Sequence, residues 1–108
     1  MNTTPHLPPH NPEAERAAIG CALINPESWY EMRPLITAST DFYIHRHQWV
    51  WEAIQELIKT GQPVDLLTVA DALERKGKLE EAGGSSWLTS LINDVPTSLN
   101  AAAYASIV

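Results

Sequence analysis

Helix start and stop signals recur along this chain of 108 residues, and they constrain its fold more than any other feature. A polar N-cap followed by proline and an acidic residue favours a helix start, and glycine or proline favours a helix end. The start pattern Asn-Pro-Glu occurs at residues 11–13 and 25–27, while Gly61 and Gly77 are placed to end later helices. The alternation of apolar and polar residues that indicates strands is nearly absent. The sequence therefore predicts an all-α domain.

These signals predict about six helices, packed as a compact orthogonal bundle. Pro34 lies inside the predicted second helix, which runs through Trp29 and Met32, and is expected to kink or break it there, because proline removes a backbone donor and clashes with the preceding turn. The predicted helices cover about residues 11–24, 25–32, 45–60, 65–76, 85–93 and 97–108.

The segments between and after these helices carry two further expectations. Residues 79–84 are predicted to be a short connection that ends in a turn at its two glycines. The sixth helix, capped by Thr97 or Ser98, reaches Val108 without a glycine, asparagine or proline stop. We therefore expect the sixth helix to be truncated from a longer protein.

One face of each helix is predicted to form the core. The apolar residues of the third helix follow the i, i+1, i+4, i+7, i+8 spacing of a buried stripe. The first helix has a face of small residues, and Gly20 lets another element approach its backbone closely. The predicted core faces are Val50, Trp51, Ile54, Leu57 and Ile58 in the third helix, Ala14, Ala17, Ala18 and Cys21 in the first, and Leu99, Ala103 and Ile107 in the sixth.

The charge of the chain argues against a domain that grips nucleic acid by itself. Seven basic and thirteen acidic residues give a formal net charge of −6. Proteins that bind a phosphate backbone usually carry a basic stripe. Here the basic residues are scattered, and the small group at residues 75–78 lies among glutamates, as expected for a solvated helix end. Little direct binding of DNA is expected.

Other features of the composition indicate the setting of the protein. A lone cysteine, Cys21, excludes an internal disulfide and is predicted to be a small buried hydrophobe. No apolar run approaches the roughly 20 residues that span a bilayer, so no membrane contact is expected. Residues 1–10 have no signal-peptide pattern and are predicted to be a flexible, Pro-rich lead-in. We expect a cytoplasmic protein.

The sequence shows no pattern typical of a catalytic, cofactor-binding or metal site. His45 and His47 are two residues apart on a predicted helix, so they point to different sides, and no cysteine joins them. Asp41 precedes a helix, where an acidic residue is more often a cap than an acid–base catalyst. Residues 83–86 lack the glycine spacing and the lysine of a phosphate-binding loop.

The four tryptophans are the remaining candidates for function. Trp51 and Trp87 lie on predicted inner faces and are expected in the core. Trp49 is turned away from the inner face of its helix, while Trp29 is ambiguous by position. Exposed tryptophans are enriched at protein-contact hot spots, so Trp49 and Trp29 are the candidate partner-binding residues. We expect Trp49→Ala to leave the melting temperature nearly unchanged.

Several short motifs occur along the chain in an order and at spacings typical of one known family. The motifs are Pro9-His10-Asn11-Pro12-Glu13-Ala14-Glu15, Ile19-Gly20, Asn25-Pro26, Asp41-Phe42-Tyr43, His47, Val50-Trp51, Gly61-Gln62-Pro63-Val64-Asp65, Thr68, Gly77-Lys78-Leu79, Gly83-Gly84, Trp87-Leu88, Pro96-Thr97-Ser98, Asn100, Tyr104-Ala105 and Ile107-Val108. Through these motifs the chain resembles the N-terminal domain of the bacterial replicative DNA helicases, the DnaB family, over about residues 8–108. Trp51 and Trp87 stand where the family usually has phenylalanine and tyrosine, which keeps an aromatic ring at each position.

The resemblance implies more than the residues themselves show. Helicases of this family form hexameric rings around one DNA strand, and a C-terminal domain that binds ATP and Mg²⁺ drives their movement. Their N-terminal domains form a collar, a trimer of dimers, where primase docks. Residues 11–108 would be the helical head of such a domain, without the ATPase domain and with no catalytic role.

Two alternatives from other classes stay open at this point. The chain could be a free-standing helical adaptor for a replication protein, similar to the helical C-terminal domain of primase. It could also be a weak DNA-binding module, which the net charge of −6 disfavours.

Overall fold

A computed structural model gives the fold of residues 11–95 and 100–108. Across these residues the chain forms α-helices, one 3-10 turn and no strand, which confirms the all-α prediction. The predicted lead-in at residues 1–10, the helix stop at Pro96, the cap at Thr97 or Ser98 and the core residue Leu99 lie outside the described residues. The elements are α1 (Pro12–Ile24), α2 (Ser28–Met32), the 3-10 turn η1 (Ser39–Asp41), α3 (His45–Lys59), α4 (Leu66–Arg75), α5 (Leu79–Ala82), α6 (Gly84–Asn93) and α7 (Ala101–Ile107).

Local capping explains where α1 and α4 begin and where α3 ends. The Asn11 side chain accepts a hydrogen bond from the backbone N–H of Ala14 at 3.0 Å and so caps α1 as predicted. Asp65 and Thr68 exchange backbone-to-side-chain hydrogen bonds of 2.9 Å at the start of α4. Gly61, which follows α3, has a backbone φ of +74°, a left-handed conformation that glycine adopts without strain.

Helix α2 is shorter than its start signal suggested. Residues 25–27 form a turn, in which the Ser28 N–H donates to the Asn25 carbonyl at 2.9 Å. The helix ends at Met32, two residues before Pro34. The expected break at this proline is therefore confirmed.

Two predictions on the C-terminal half were wrong. Residues 79–82 form the one-turn helix α5, because Glu80 and Glu81 lie in its first turn, where the helix dipole favours acidic side chains. In α7 the residues that face the core are Ala101 and Ala105, while Ile107 is 54% exposed. Since α7 packs against α1 and α2, small side chains occupy its contact face. The prediction was wrong because it assigned the core face from the most hydrophobic residues.

Helix α1 lies at the centre of the bundle and packs against α2, α3, α6 and α7. Its residues are buried from Ala14 to Leu23 with the exception of Arg16. Beside it, the Trp51 ring lies 4.2 Å from the Trp29 ring and 5.3 Å from the Phe42 ring, measured between centroids. Small residues on α1 and aromatic rings around α3 thus fill complementary parts of one core.

At Gly20, the backbone of α1 lies close to the C-terminal part of α6. A Cβ atom at this position would lie 2.6 Å from the Leu91 carbonyl oxygen and would collide with the Val95 side chain. In an exposed helix, Gly→Ala stabilises by roughly 0.5–1 kcal/mol. We expect Gly20→Ala to destabilise the protein by about 1–3 kcal/mol instead, through overpacking. Urea unfolding measures the difference, and a stabilised variant would show that the two helices do not meet this closely.

Candidate functional site

A carboxylate and an imidazole are buried together where α1 crosses the start of α3. The side chains of Glu15 and His47 are each 1% exposed, and Glu15 Oε1 lies 2.7 Å from His47 Nδ1. The Glu15 carboxylate also accepts backbone hydrogen bonds from Tyr43 at 2.7 Å and Ile44 at 3.3 Å. Three donors from one chain segment therefore hold the start of α3 against α1.

The surroundings of His47 show that this pair is structural. Its ring stacks on the Trp87 ring at 6.0 Å with an interplanar angle of 10°, and it meets the Phe42 ring edge-on at 6.5 Å. Burial lowers the pKa of His47, and the hydrogen bond and negative charge of Glu15 oppose that shift only in part. His47 is then neutral at pH 7 and donates from Nδ1 to Glu15, with no space beside it for a substrate.

The other candidate groups for chemistry are also accounted for by structure. Burial raises the pKa of the Cys21 thiol to about 11, with a smaller contribution from Glu31, so the thiol stays protonated. The Asp41 carboxylate accepts the backbone N–H of Thr37 at 3.0 Å and so closes the η1 turn, whereas α3 begins after Ile44 without a side-chain cap, in contrast to the capping of the following helix expected for Asp41. His45 is exposed, away from buried His47. In residues 11–95 and 100–108, no three His, Cys, Asp or Glu side chains could together hold a metal ion.

The structure separates the two candidate partner-binding tryptophans. Trp29 is 2% exposed and packs on Trp51, so its ring belongs to the core and offers no surface to a partner. Trp29 was misjudged because α2 lies against the bundle, with both Trp29 and Met32 facing inwards. Trp49 is partly buried and packs on the edge of the core, and its role in partner binding stays a prediction.

A shallow groove lies beside Trp49, where the start of α3 meets α5. Its volume is about 490 Å³, and we name it the Trp49 groove. Lys78 crosses the Trp49 ring with its Nζ atom 4.7 Å from the ring centroid, in a cation–π contact. The lining residues are Tyr43, Ile44, His45, Arg46, Trp49 and Glu81.

Arg46 is fixed at the edge of this groove by two contacts with the helices that follow. Its guanidinium carbon lies 4.5 Å from the centroid of the Trp87 ring, and its Nη1 donates to the Ala82 carbonyl at 3.1 Å. Trp87 itself is 8% exposed, and its Nε1–H has no hydrogen-bond partner among the described residues. The aromatic face of Trp87, not its polar atom, therefore supports Arg46.

Sequence reasoning missed Glu15, Arg46 and the burial of His47. A signal was present for the buried pair: Glu15 is spaced i+4 from Ile19, and His47 is spaced i+4 from Trp51, so each lies on a buried stripe. A titratable residue on a buried stripe needs a partner, and two such residues on neighbouring helices can provide it. No comparable signal exists for Arg46, whose partners follow 36 and 41 positions later.

Comparison with known proteins identifies the kind of protein to which this fold belongs. The family model of the DnaB-like helicase N terminal domain matches residues 7–108. The replicative DNA helicase DnaB of Leifsonia xyli subsp. xyli is 41% identical over 101 residues, covering 94% of this chain and 22% of that protein. The replicative DNA helicase DnaC of Bacillus subtilis is 41% identical over 102 residues, covering 94% of this chain and 22% of that protein.

A solved structure shows the same fold. The crystal structure of the N-terminal domain of DnaB helicase from Mycobacterium tuberculosis matches with a TM-score of 0.89 at 39% identity, covering 94% of this chain and 71% of that chain. The fold is therefore that of an N-terminal domain of replicative helicases. The chain belongs to the DnaB-like helicase N-terminal domain family, as its motif order indicated, and it spans about a fifth of the length of the curated relatives it matches. In the described part, no helix is long and apolar enough to cross a membrane.

The different burial of the two tryptophans on α3 predicts different losses of stability. Trp51→Ala removes a ring that is 1% exposed and is expected to cost about 3–5 kcal/mol. Trp49→Ala removes a partly buried ring and should cost roughly 1–2 kcal/mol, more than its position on the helix suggested. Thermal unfolding of both variants measures this. Equal losses would contradict the assignment of the helix faces.

The burial of His47 predicts a dependence of stability on pH. The pKa of His47 is lowered in the folded state. As the pH falls below about 6.5, this imidazole is therefore protonated in the unfolded chain before it is protonated in the folded chain. The free energy of unfolding should therefore fall as the pH drops below 6.5. His47→Gln should flatten this dependence, even if it lowers overall stability, while His45→Gln at the exposed neighbouring position should retain it. Denaturant unfolding between pH 5 and 8 tests both variants, and a flat wild-type profile would contradict the assignment.

Proposed function

We propose that this chain acts as the non-catalytic N-terminal part of a replicative DNA helicase, mediating subunit association and primase docking. The observation that carries the proposal is the match of 94% of the chain, at 41% identity, to a stretch that forms 22% of replicative helicases. In this proposal the chain contributes to a larger protein, of which it forms one part. The family resemblance suggests that this larger protein assembles as a hexamer with a collar of N-terminal domains arranged as a trimer of dimers.

In this proposal the chemistry of the helicase belongs to the rest of the parent protein. ATP and Mg²⁺ would be bound there, since the 108 residues contain no phosphate-binding loop. Glu15 and His47, a titratable pair that this chain buries, hold α1 to α3. The contribution of the domain is then to binding and positioning, within a cytoplasmic replication complex.

The distribution of charge supports a role in protein contacts over one in direct DNA binding. Arg16, Arg75 and Lys76 lie 2.6, 3.1 and 3.1 Å from the carboxylates of Asp94, Asp71 and Glu56. Cations that are neutralised in this way release few counterions from a phosphate backbone. DNA would pass through the parent ring with little contact to this domain.

The proposal is tested by binding measurements on the purified chain. Primase from the same organism is expected to capture the chain, and an oligothymidylate is expected to show no binding at the same concentration. The adaptor alternative predicts capture by the helicase instead, and the DNA-binding alternative predicts micromolar oligothymidylate binding that weakens steeply with salt. Failure to bind primase would overturn the docking role.

The coding sequence beyond Val108 provides an independent test. It should continue into a Gly-x-x-x-x-Gly-Lys-Thr/Ser loop, which binds nucleotide phosphates in ATPases. A stop codon directly after Val108 would instead support a free-standing relative.

A further inference from the structure

The Trp49 groove combines apolar walls with access from solvent. Tyr43 lines the groove and is 43% exposed, and the partly buried Trp49 also lines it, with the Lys78 side chain over its ring. Tyrosine and tryptophan provide large contact areas at low cost in side-chain entropy, and they are enriched where partners bind most strongly. The groove can therefore accept an apolar side chain from another molecule.

Arg46 gives the groove a cation that is already held in position. Its contacts with the Trp87 ring and the Ala82 carbonyl come from α6 and α5, so the guanidinium is fixed by elements outside its own helix. The hydrogen bond to Ala82 uses one of the five N–H donors of the guanidinium. A side chain that is fixed in advance loses less entropy when a ligand binds it.

The charge of Arg46 is also uncompensated. Lys78 and Glu81 form an ion pair of 3.7 Å beside the groove, and three other cations of the chain are paired on other surfaces. Among the described residues, no carboxylate pairs with Arg46. In a chain of net charge −6, this leaves an arginine ready to bind an external carboxylate, which matches the fork of a guanidinium in shape.

The groove is better matched to a carboxylate side chain than to nucleic acid. A single-stranded nucleic acid presents a row of phosphates and needs a positively charged path across several nucleotides. Here Arg46 is the one arginine or lysine among the lining residues, and Lys78 beside the groove is paired with Glu81, so the lining offers no such path. A single aspartate or glutamate flanked by apolar residues fits both the one available cation and the aromatic walls.

We propose that the Trp49 groove binds an acidic, partly apolar segment of a partner protein, with Arg46 pairing its carboxylate and Tyr43 and Trp49 contacting its apolar side chains. The proposal rests on the proposed function, because it identifies the surface through which this domain docks a replication partner. It also assigns to Trp49 the partner-binding role that was predicted from its position on α3.

The first experiment measures the chemistry of the groove with defined probes. A short labelled peptide of glutamate, leucine and serine is titrated into the chain, and a counterpart with lysine in place of glutamate serves as the control. The acidic peptide should shift the indole NMR signal of Trp49, and the lysine peptide should not. Equal shifts by both peptides, or by neither, would overturn the proposal.

The second experiment measures the affinity of primase for variants of the groove. Arg46→Glu is expected to weaken binding at least about tenfold and Tyr43→Ala several-fold, as for residues at a binding hot spot. Lys59→Glu is the matched control, because this lysine lies at the far end of α3 and also has no carboxylate partner in the described part of the chain. The affinity of primase for Lys59→Glu should stay within about twofold of that for the wild type, since a charge at the periphery of an interface contributes little to affinity.

Two further measurements keep the outcomes distinct. Since Arg46 also packs on Trp87, circular dichroism must show that Arg46→Glu is folded, and Tyr43→Ala tests the groove independently if it is not. If primase binds the wild type and both variants equally, the docking role stands and the groove assignment fails. If the acidic peptide binds but primase does not, the groove assignment stands and primase docking fails.

The second measurement is the binding of an oligothymidylate to the wild type and to Arg46→Glu. Oligothymidylate binding that is lost in Arg46→Glu would overturn the proposal in favour of nucleic acid.

Discussion

The hydrogen bonds of the buried Glu15 carboxylate are the interaction on which the rest of this domain depends. A charge out of contact with water is tolerated only where donors surround it, and all three donors here come from residues 43–47. The start of α3 must therefore lie against α1 in one register. That register places Trp51 in the core and Tyr43, Arg46 and Trp49 along one groove.

The sequence predicted the helices well where their boundaries depend on local chemistry. Asn11, Asp65 and Gly61 act within one turn of their own position, so the pattern of residue types was enough to locate α1, α3 and α4. Predictions failed where another element decides the outcome. The core face of α7 depends on its close approach to α1 and α2, which selects alanine over the more hydrophobic Ile107.

Less of the candidate site than of the fold could be predicted from the sequence. Helix period placed Trp49 off the main core stripe, but it could not show that Lys78 covers its ring or that Trp29 is buried against Trp51. Those contacts join residues from different helices and follow only from the tertiary structure. The family was recognisable because the order of many short motifs carries more information than any one of them, while the groove required knowledge of which side chains meet.

Among the described residues, the Nε1–H of Trp87 has no hydrogen-bond partner, and this has a consequence for how the domain can evolve. Leaving a buried donor without a partner costs roughly 1–3 kcal/mol, yet the contacts that Trp87 makes with Arg46 and His47 use only the faces of its ring. Another aromatic residue could keep those contacts without burying that donor. A substitution of Trp87 by another aromatic residue could therefore raise the stability of the domain. That gain could offset destabilising mutations elsewhere as the partner surface diverges.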